Sequence, residues 1–522
     1  MGASMKSNTR ELIKFLVIAA ITVFLVLVIM SLLHKPKIIL PPRAAAAPAR
    51  ELRGVWMSRF DYTQSLNTHD KTIIQDYIRR TFRQIKDANC NTVFFQVRGN
   101  ADAFYKSSYE PWSQFLTGTL GQEPGWDPLQ FAIETAHEFD LELHAWINTF
   151  PAWRGKSKPE KSAPLHPYLA HPDWVICDSS GNPMPRSNHY VSFSPGNPDV
   201  RRHIKNVVME ITSKYDVDGI HFDYIRYPEG STKKGYSNDA VSVKRLRSPK
   251  DNPLRLNREN WQREQISQFI AEAYNAITTL KPWVKVSTAV IGNYNMSGWS
   301  GYHKVFQDAA RWAKIEKIDM IIPMTYRSRK NGDFQKSIQH WNNLQNIRQP
   351  IAPGLGVFNL PLDEVLEEID DVRSAGLGGV VLFAASSVDS LGWVRLKNEK
   401  FQYPAIPPAL PWKFKSKVPE PEKCQIKIED QNIHFQWFCS EPKGKSNRIS
   451  HFVIYRSKND TIDTSVGESI SNILIGSVMS AVKEIKDDDI DYNYFIVALD
   501  VANNESTPVH FIESTPQSSE SQ

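Results

Sequence analysis

Asp216-Val-Asp-Gly-Ile-His-Phe-Asp-Tyr-Ile-Arg-Tyr-Pro228 is the stretch whose reading decides the fold. Its apolar residues Ile220, Phe222 and Ile225 give the pattern of a short buried strand, which ends abruptly at Arg226-Tyr227-Pro228. In an α/β protein of parallel strands, side chains at the C-terminal strand ends face the ligand crevice, so His221, Asp223, Tyr224, Arg226 and Tyr227 should gather there. A carboxylate among aromatic rings and a guanidinium suits a sugar. A lone aspartate at a strand end can also serve only to fix its loop, so the decision rests on the surrounding chain.

Working outward, apolar runs that read as buried parallel strands fall at Arg53–Arg59, Thr92–Arg98, Glu142–Thr149, Gly219–Tyr227, Val284–Ile291, Met320–Tyr326, Ile351–Val357 and Gly379–Ala385. Helix-period stretches occupy the seven gaps, at Thr72–Ala88, Pro128–Phe139, Pro198–Lys214, Trp261–Leu280, His303–Ala313, Phe334–Ile347 and Leu362–Ser374. Asp127-Pro128 and Asn197-Pro198 each set a capping residue before a first-turn proline. Eight strands alternating with helices predict a (β/α)8 TIM barrel over 51–400, although no closing helix after the eighth strand is evident. The long connections follow strands two, three and four, and the proline-rich 150–196 is too long for a mere connector.

Phe401–Pro421 holds six prolines and reads as a linker over 401–422. Short alternating strands then predict a small all-β sandwich over 423–513, with a serine-rich disordered tail over 514–522. A hairpin turning at Gln431-Asn432 would set Cys424 opposite Cys439, which predicts a disulfide; Cys90 and Cys177 read as free core residues. At the other end, the nineteen residues Phe15–Leu33 contain nothing more polar than Thr22 and Ser31, enough for a transmembrane helix. The expected anchor is 1–34, followed by a tether over 35–50, with the rest of the chain outside the cytoplasm in the cell envelope.

A formal net charge of +5, from 62 basic and 57 acidic residues among 522, is too near balance to imply nucleic acid. The four cysteines show no metal-ligand spacing, and no metal or cofactor is expected. The predicted strand ends collect Arg59, Asp61, Gln96, Arg98, Asp102, His144, Trp146, Asn148, His221, Asp223, Tyr224, Arg226, Asn293 and Tyr326 at one side of the barrel. Polar groups are costly to bury without partners, so their recurrence at one end points to a shared site. Hydrolysis of a glycosidic bond takes two carboxyl groups. Asp223 is the first candidate; Asp102 and Glu110 are the best second candidates, with Asp61 and Glu229 behind them. Trp112 and Trp146 offer an apolar wall, and His144 and His221 could simply be satisfied strand histidines.

Several motifs then fall in order: Arg53-Gly-Val-Trp56, Phe95-Gln-Val-Arg98 with Asp102-Ala, Glu110-Pro-Trp-Ser113, Trp126-Asp-Pro-Leu129, Ala136-His137, His144-Ala-Trp-Ile-Asn148, Ser194-Pro-Gly196 and the opening stretch itself. Together they resemble the bacterial glycosyl-hydrolase-like family ten over about residues 51–395. The resemblance implies an exported or surface (β/α)8 protein, some relatives of which cleave peptidoglycan glycan strands. It implies Asp223 as catalytic carboxylate, with Arg98, Asp102, His144, Trp146 and Asn148 lining the mouth. The strand-four pattern of the barrel chitinases is not kept, since His221 and Ile225 stand where acids would fall. The pattern Phe452-Val-Ile-Tyr-Arg456 with Tyr492–Asp500 resembles a fibronectin type III module.

The expected function is therefore a membrane-anchored glycoside hydrolase acting on a polysaccharide, with peptidoglycan glycan strands foremost. The alternative is a non-catalytic glycan-binding or scaffolding protein, kept open because the second carboxylate is not obvious. A metal-dependent deacetylase lacks any paired His/Asp spacing.

Overall fold

A computed structural model describes residues 47–344, 346–442, 447–486 and 489–514. The eight predicted runs become eight parallel strands: β1 (Leu52–Met57), β2 (Thr92–Arg98), β3 (Glu142–Asn148), β4 (Gly219–Asp223), β5 (Lys285–Ile291), β6 (Met320–Met324), β7 (Gly354–Gly356) and β8 (Gly379–Phe383). They close into a barrel in which β1 pairs with both β2 and β8, from Leu52↔Gly379 to Trp56↔Phe383 on the closing side. Strand β4 stops at Asp223 rather than Tyr227, because Tyr224 takes a left-handed backbone (φ 48°) that turns the chain out of the ladder. Strand β7 is shorter than expected, since Pro353 has no N–H to donate. At Gly354 an added Cβ would lie 2.6 Å from the Trp56 ring, so only glycine leaves room for that indole.

Helices α1 (Lys71–Asp87), α2 (Pro128–Glu138), α3 (Pro198–Lys214), α4 (Arg258–Leu280), α5 (Ala309–Lys314), α6 (Asp333–Asn342) and α7 (Leu362–Ser374) fill the gaps. Asp70, Asp127 and Asn197 cap α1, α2 and α3 by accepting backbone N–H bonds in the first turn. An eighth helix, α8 (Ser390–Arg395), follows β8 and supplies the closing element that the sequence did not reveal. Outward strand residues such as Val55, Val93, Phe95, Ala145, Ile220 and Phe222 pack under the helices, while Leu52, Trp56, Phe94, Trp146, Ile322 and Val381 fill the interior. Burying side chains of this size contributes about 1.5–3 kcal/mol each, so both layers hold the strand ends in place.

The C-terminal part contains eight strands: β9 (Glu422–Glu429), β10 (Asn432–Phe438), β11 (Ile449–Ser457), β12 (Ile470–Ile475), β13 (Ser480–Glu484), β14 (Asn493–Asp500), β15 (Val509–His510) and β16 (Ile512–Glu513). They form two four-stranded sheets, β13-β10-β9-β16 and β12-β11-β14-β15, around a core that includes Phe435, Trp437, Phe452 and Ile496. The predicted Cys424–Cys439 disulfide is not formed. The hairpin turns at Asp430-Gln431, both left-handed, so Glu429 pairs with Asn432, and a bulge before Gln425 puts Glu422 opposite Phe438. Cys439 lies past the end of β10, and both thiols stay free in the core, pushed up to about 11 by burial.

Of the expected tether over 35–50, only residues 47–50 are among those described. Ala47–Arg50 runs against the sandwich, with Ala49 N–H donating to Ser465 O (2.9 Å) and Arg50 Nη1 to Asn503 O (2.8 Å). The proline-rich stretch lies between the barrel floor and the sandwich: Phe401 is buried in the barrel core, Trp412 Nε1 donates to Asp319 (2.8 Å), and Lys413 pairs with Asp319 at 2.6 Å. His451 on β11 meets Asp140 of the barrel at 2.7 Å. The apolar stretch Phe15–Leu33 and the tail beyond Ser514 lie outside the described residues, among which no helix is long and apolar enough to cross a membrane.

Candidate active site

Asp223 ends β4 inside the rim of the barrel, its side chain 8% exposed. Its Oδ1 accepts the N–H of Tyr224 (2.6 Å), and the guanidinium of Arg226 stands at 3.6 Å, outside good hydrogen-bond distance. The left-handed turn at Tyr224 brings that N–H back onto the preceding carboxylate, and Arg226 lies over the Tyr224 ring at 4.3 Å. Burial pushes the Asp223 carboxyl above its ordinary range, against Arg226, the Tyr224 N–H and Trp146, which all pull it down. None of these groups is a second carboxylate. A carboxyl raised in this way keeps its proton to higher pH and can donate it.

Around Asp223 stand rings. Tyr326, whose phenol is pushed well up by burial with Asp223 close by, stacks on Phe383 at 5.5 Å and 20°. Phe358 meets both edge-on, at 5.4 and 5.5 Å, and is 51% exposed, an open apolar face at the rim. Trp146 donates its Nε1–H to Asn148 Oδ1 (3.1 Å), and Asn148 Nδ2 donates to Gly99 O (3.0 Å), which ties the two together toward the C-terminal end of β3.

Other expected site residues are engaged elsewhere. Glu110 forms a fork with Arg98 (2.8 and 2.7 Å), both side chains fully buried, and also meets His203 at 3.0 Å. Burial alone would raise Glu110, but Arg98 and His203 outweigh it and leave it at about 2, too acidic to give up a proton near neutrality. Arg98 further donates to the Thr149 carbonyl (3.1 Å) and that of Asn148, so it fastens β2 to the end of β3 instead of facing the cleft. His144 points down the barrel toward Glu142 (3.4 Å), edge-on to Phe94 at 5.0 Å. His221 lies in the barrel interior, where Nε2 accepts from Trp56 Nε1 (2.9 Å) and Nδ1 pairs with Ser287 Oγ (2.9 Å); burial holds it well below its ordinary range, hence neutral. Neither histidine belongs to the mouth.

Asn293 is spent on its own loop, donating to Ser297 O and Trp299 O and accepting from Met296 N–H. Gln96 Oε1 accepts the N–H of Arg59 (3.0 Å), which positions that arginine instead of a ligand. Trp112 is half-buried and packs against the outer core. Asp61 accepts from Ser58 N–H (2.6 Å) and from the Ser386 hydroxyl, and Glu229 is exposed. Asp102 accepts from Asn100 N–H (2.9 Å) and the Ser113 hydroxyl (2.6 Å) and lines a cavity beside the mouth together with Arg59. Among the described residues no group of three or more His, Cys, Asp or Glu is arranged to hold a metal ion.

Residues 51–365 match the family model described as glycosyl hydrolase-like 10, about three-fifths of the chain. The chain belongs to this family. Its similarity to the glycosyl hydrolase YngK of Bacillus subtilis (strain 168) runs at 26% identity over 96% of this chain and 98% of that protein. The glycosyl hydrolase DigH of Escherichia coli (strain K12) is 28% identical over 55% of this chain and 68% of that protein. Among solved structures, the PgaB (BpsB) glycoside hydrolase domain from Bordetella bronchiseptica superposes with a TM-score of 0.47 at 11% identity, covering 67% of this chain and 99% of that one, a likeness too slight to bear on function. The enzyme class expected from the sequence, a glycoside hydrolase, stands with membership of the glycosyl hydrolase-like 10 family. The rings of Phe358 and Phe383 beside Tyr326 were not anticipated, although their place near the ends of β7 and β8 was the available signal. Arg154 and Tyr190 were also missed; they sit in the long connection without periodicity to mark them.

Proposed function

We propose that the chain is an exported glycoside hydrolase, held at the membrane by Phe15–Leu33, that cleaves peptidoglycan glycan strands with Asp223 as proton donor. The observation that carries this reading is a buried carboxyl at the end of β4, raised above its ordinary range by that burial, among aromatic faces and without a tight ion-pair partner. In that reading the Asp223 carboxyl protonates the glycosidic oxygen as the bond to the anomeric carbon breaks, and the resulting carboxylate takes a proton from the attacking water. Arg226, close by but not hydrogen-bonded, steadies the carboxylate between those steps. The strand substrate is supported by the family resemblance and by the envelope location expected from the apolar amino-terminal run.

Asp223→Asn tests the reading: release of new reducing ends from purified glycan strands should fall at least about 100-fold, with the circular dichroism spectrum unchanged. Undiminished turnover would remove Asp223 from the chemistry. The second reading, a glycan-binding protein without turnover, is favoured by the engagement of Glu110 and the absence of a carboxylate among the groups acting on Asp223. Strands retained by the wild-type chain with no new reducing ends would establish it.

A further inference from the structure

Two guanidinium groups without an ion-pair partner among the described residues share one cavity beside the mouth. The long connection after β3 folds back as a ribbon of Pro151–Arg154 against Tyr190–Ser192, which pairs Arg154 directly with Tyr190. Arg59 lies across the gap from this ribbon, donating Nη2–H to the Tyr190 hydroxyl (3.1 Å), with its guanidinium over Phe60 at 4.6 Å and Phe115 at 5.5 Å. Arg154 covers Phe60 from 5.2 Å and Tyr190 from 5.9 Å, and its Nε–H goes to Asn188 O (2.9 Å). Both arginines line a cavity of about 400 Å³ that also takes in Trp153 and Asp102.

The cavity sets two guanidinium groups against one carboxylate, that of Asp102. Neither arginine forms an ion pair with any described carboxylate, and Arg59 Nε and Nη1 have no hydrogen-bond partner although the side chain is fully buried. The cavity's own carboxylate, Asp102, already accepts from Asn100 and Ser113. Gly99 is what lets the Arg59 fork sit this deep, since a Cβ there would overlap Nη1 at 1.2 Å. Burying a cation in this way costs free energy unless an anion meets it, and a planar fork matches a carboxylate better than a point charge does. The cavity neighbours the site: Tyr190, whose hydroxyl accepts from Arg59, meets Tyr224 edge-on at 5.0 Å, and Tyr224 adjoins Asp223.

Building on the glycan reading of the mouth, we infer that this cavity is a substrate subsite for a sugar unit carrying a free carboxylate, with Arg154 as the accessible contact and Arg59 as the charge behind it. The rings take the sugar face and the guanidinium groups take the acid. Specificity then comes from a charge that a neutral sugar leaves unmatched.

The test compares glycan strands whose carboxylates are free with the same strands after carbodiimide coupling to methylamine, using the full-length chain. Free-acid strands should show a KM at least tenfold lower, with kcat changed less than threefold. Arg154→Ala, at an exposed position where folding is not at stake, should abolish that preference, and Arg154→Lys should restore only part of it. Equal KM for the two preparations, or a preference that survives Arg154→Ala, overturns the subsite while leaving glycan cleavage standing. Failure to cleave either preparation overturns the glycan-strand reading itself, and the subsite with it.

Discussion

Asp223 and Glu110 show how a carboxyl's surroundings decide what it can do. Burial raises the Asp223 carboxyl, so if its proton is the one transferred, kcat/KM on glycan strands should decline as pH rises through its raised pKa, and Arg226→Met should move the alkaline limb further up by removing a stabilising charge. A limb that ignores the Arg226 substitution would place the titrating group elsewhere. Glu110 has the opposite setting. Its folded pKa, about 2, lies below the ordinary 4.5, so it contributes stability that is fully present above 4.5 and is lost as pH falls toward 2. Arg98→Ala leaves a buried carboxylate without its fork and should cost about 3–5 kcal/mol in urea unfolding at neutral pH. The place of Asp223 at a strand end was legible because its strand is local. The engagement of Glu110 was not, because His203, which meets it on α3, is brought there only by the fold.

At the scale of elements, helix α7 carries a buried acid that no part of the proposed chemistry uses. Both carboxyl oxygens of Glu368 lack partners, and burial, with Glu364 and Asp371 nearby, pushes its pKa up to about 9. The unfolded chain therefore ionises first, and stability contributed at this position declines as pH climbs from 4.5 toward 9. Glu368→Gln, which cannot ionise, should leave Tm nearly unchanged in mild acid and raise it above the parent in mild alkali, as read by thermal melts across pH; parallel curves for parent and variant would rule this out. The barrel strands were legible because apolar residues recur on both of their faces, even where Arg53, Gln96, His144 or His221 falls among them. Helix α8 is six residues long, and strand β13 alternates only weakly, with Ser480, Val482 and Glu484 all exposed, so neither has a period strong enough to read. The ribbon that brings Arg154 to Tyr190 is a pairing across a long loop, and no local pattern announces such a partner.

Over the whole molecule, the sandwich is fastened to the floor of the barrel, at the opposite end from Asp223. His451 on Asp140, Asn503 on Glu142 and Lys413 on Asp319 all lie at the ends where the strands begin. His451→Ala should loosen this seam, speeding proteolytic cutting within 401–422 severalfold while turnover at the far end stays close to that of the parent. Unchanged cutting would mean that the proline-rich strap alone holds the two parts together. The strap has a partner in Ala47–Arg50, which runs back along the sandwich beside it. Position 47 and the open end of the barrel therefore lie on opposite poles. A bead coupled at position 47 itself would hold the molecule by its base and leave the end that carries Asp223 facing outward, free to meet a polymer too long and stiff to bend around the protein.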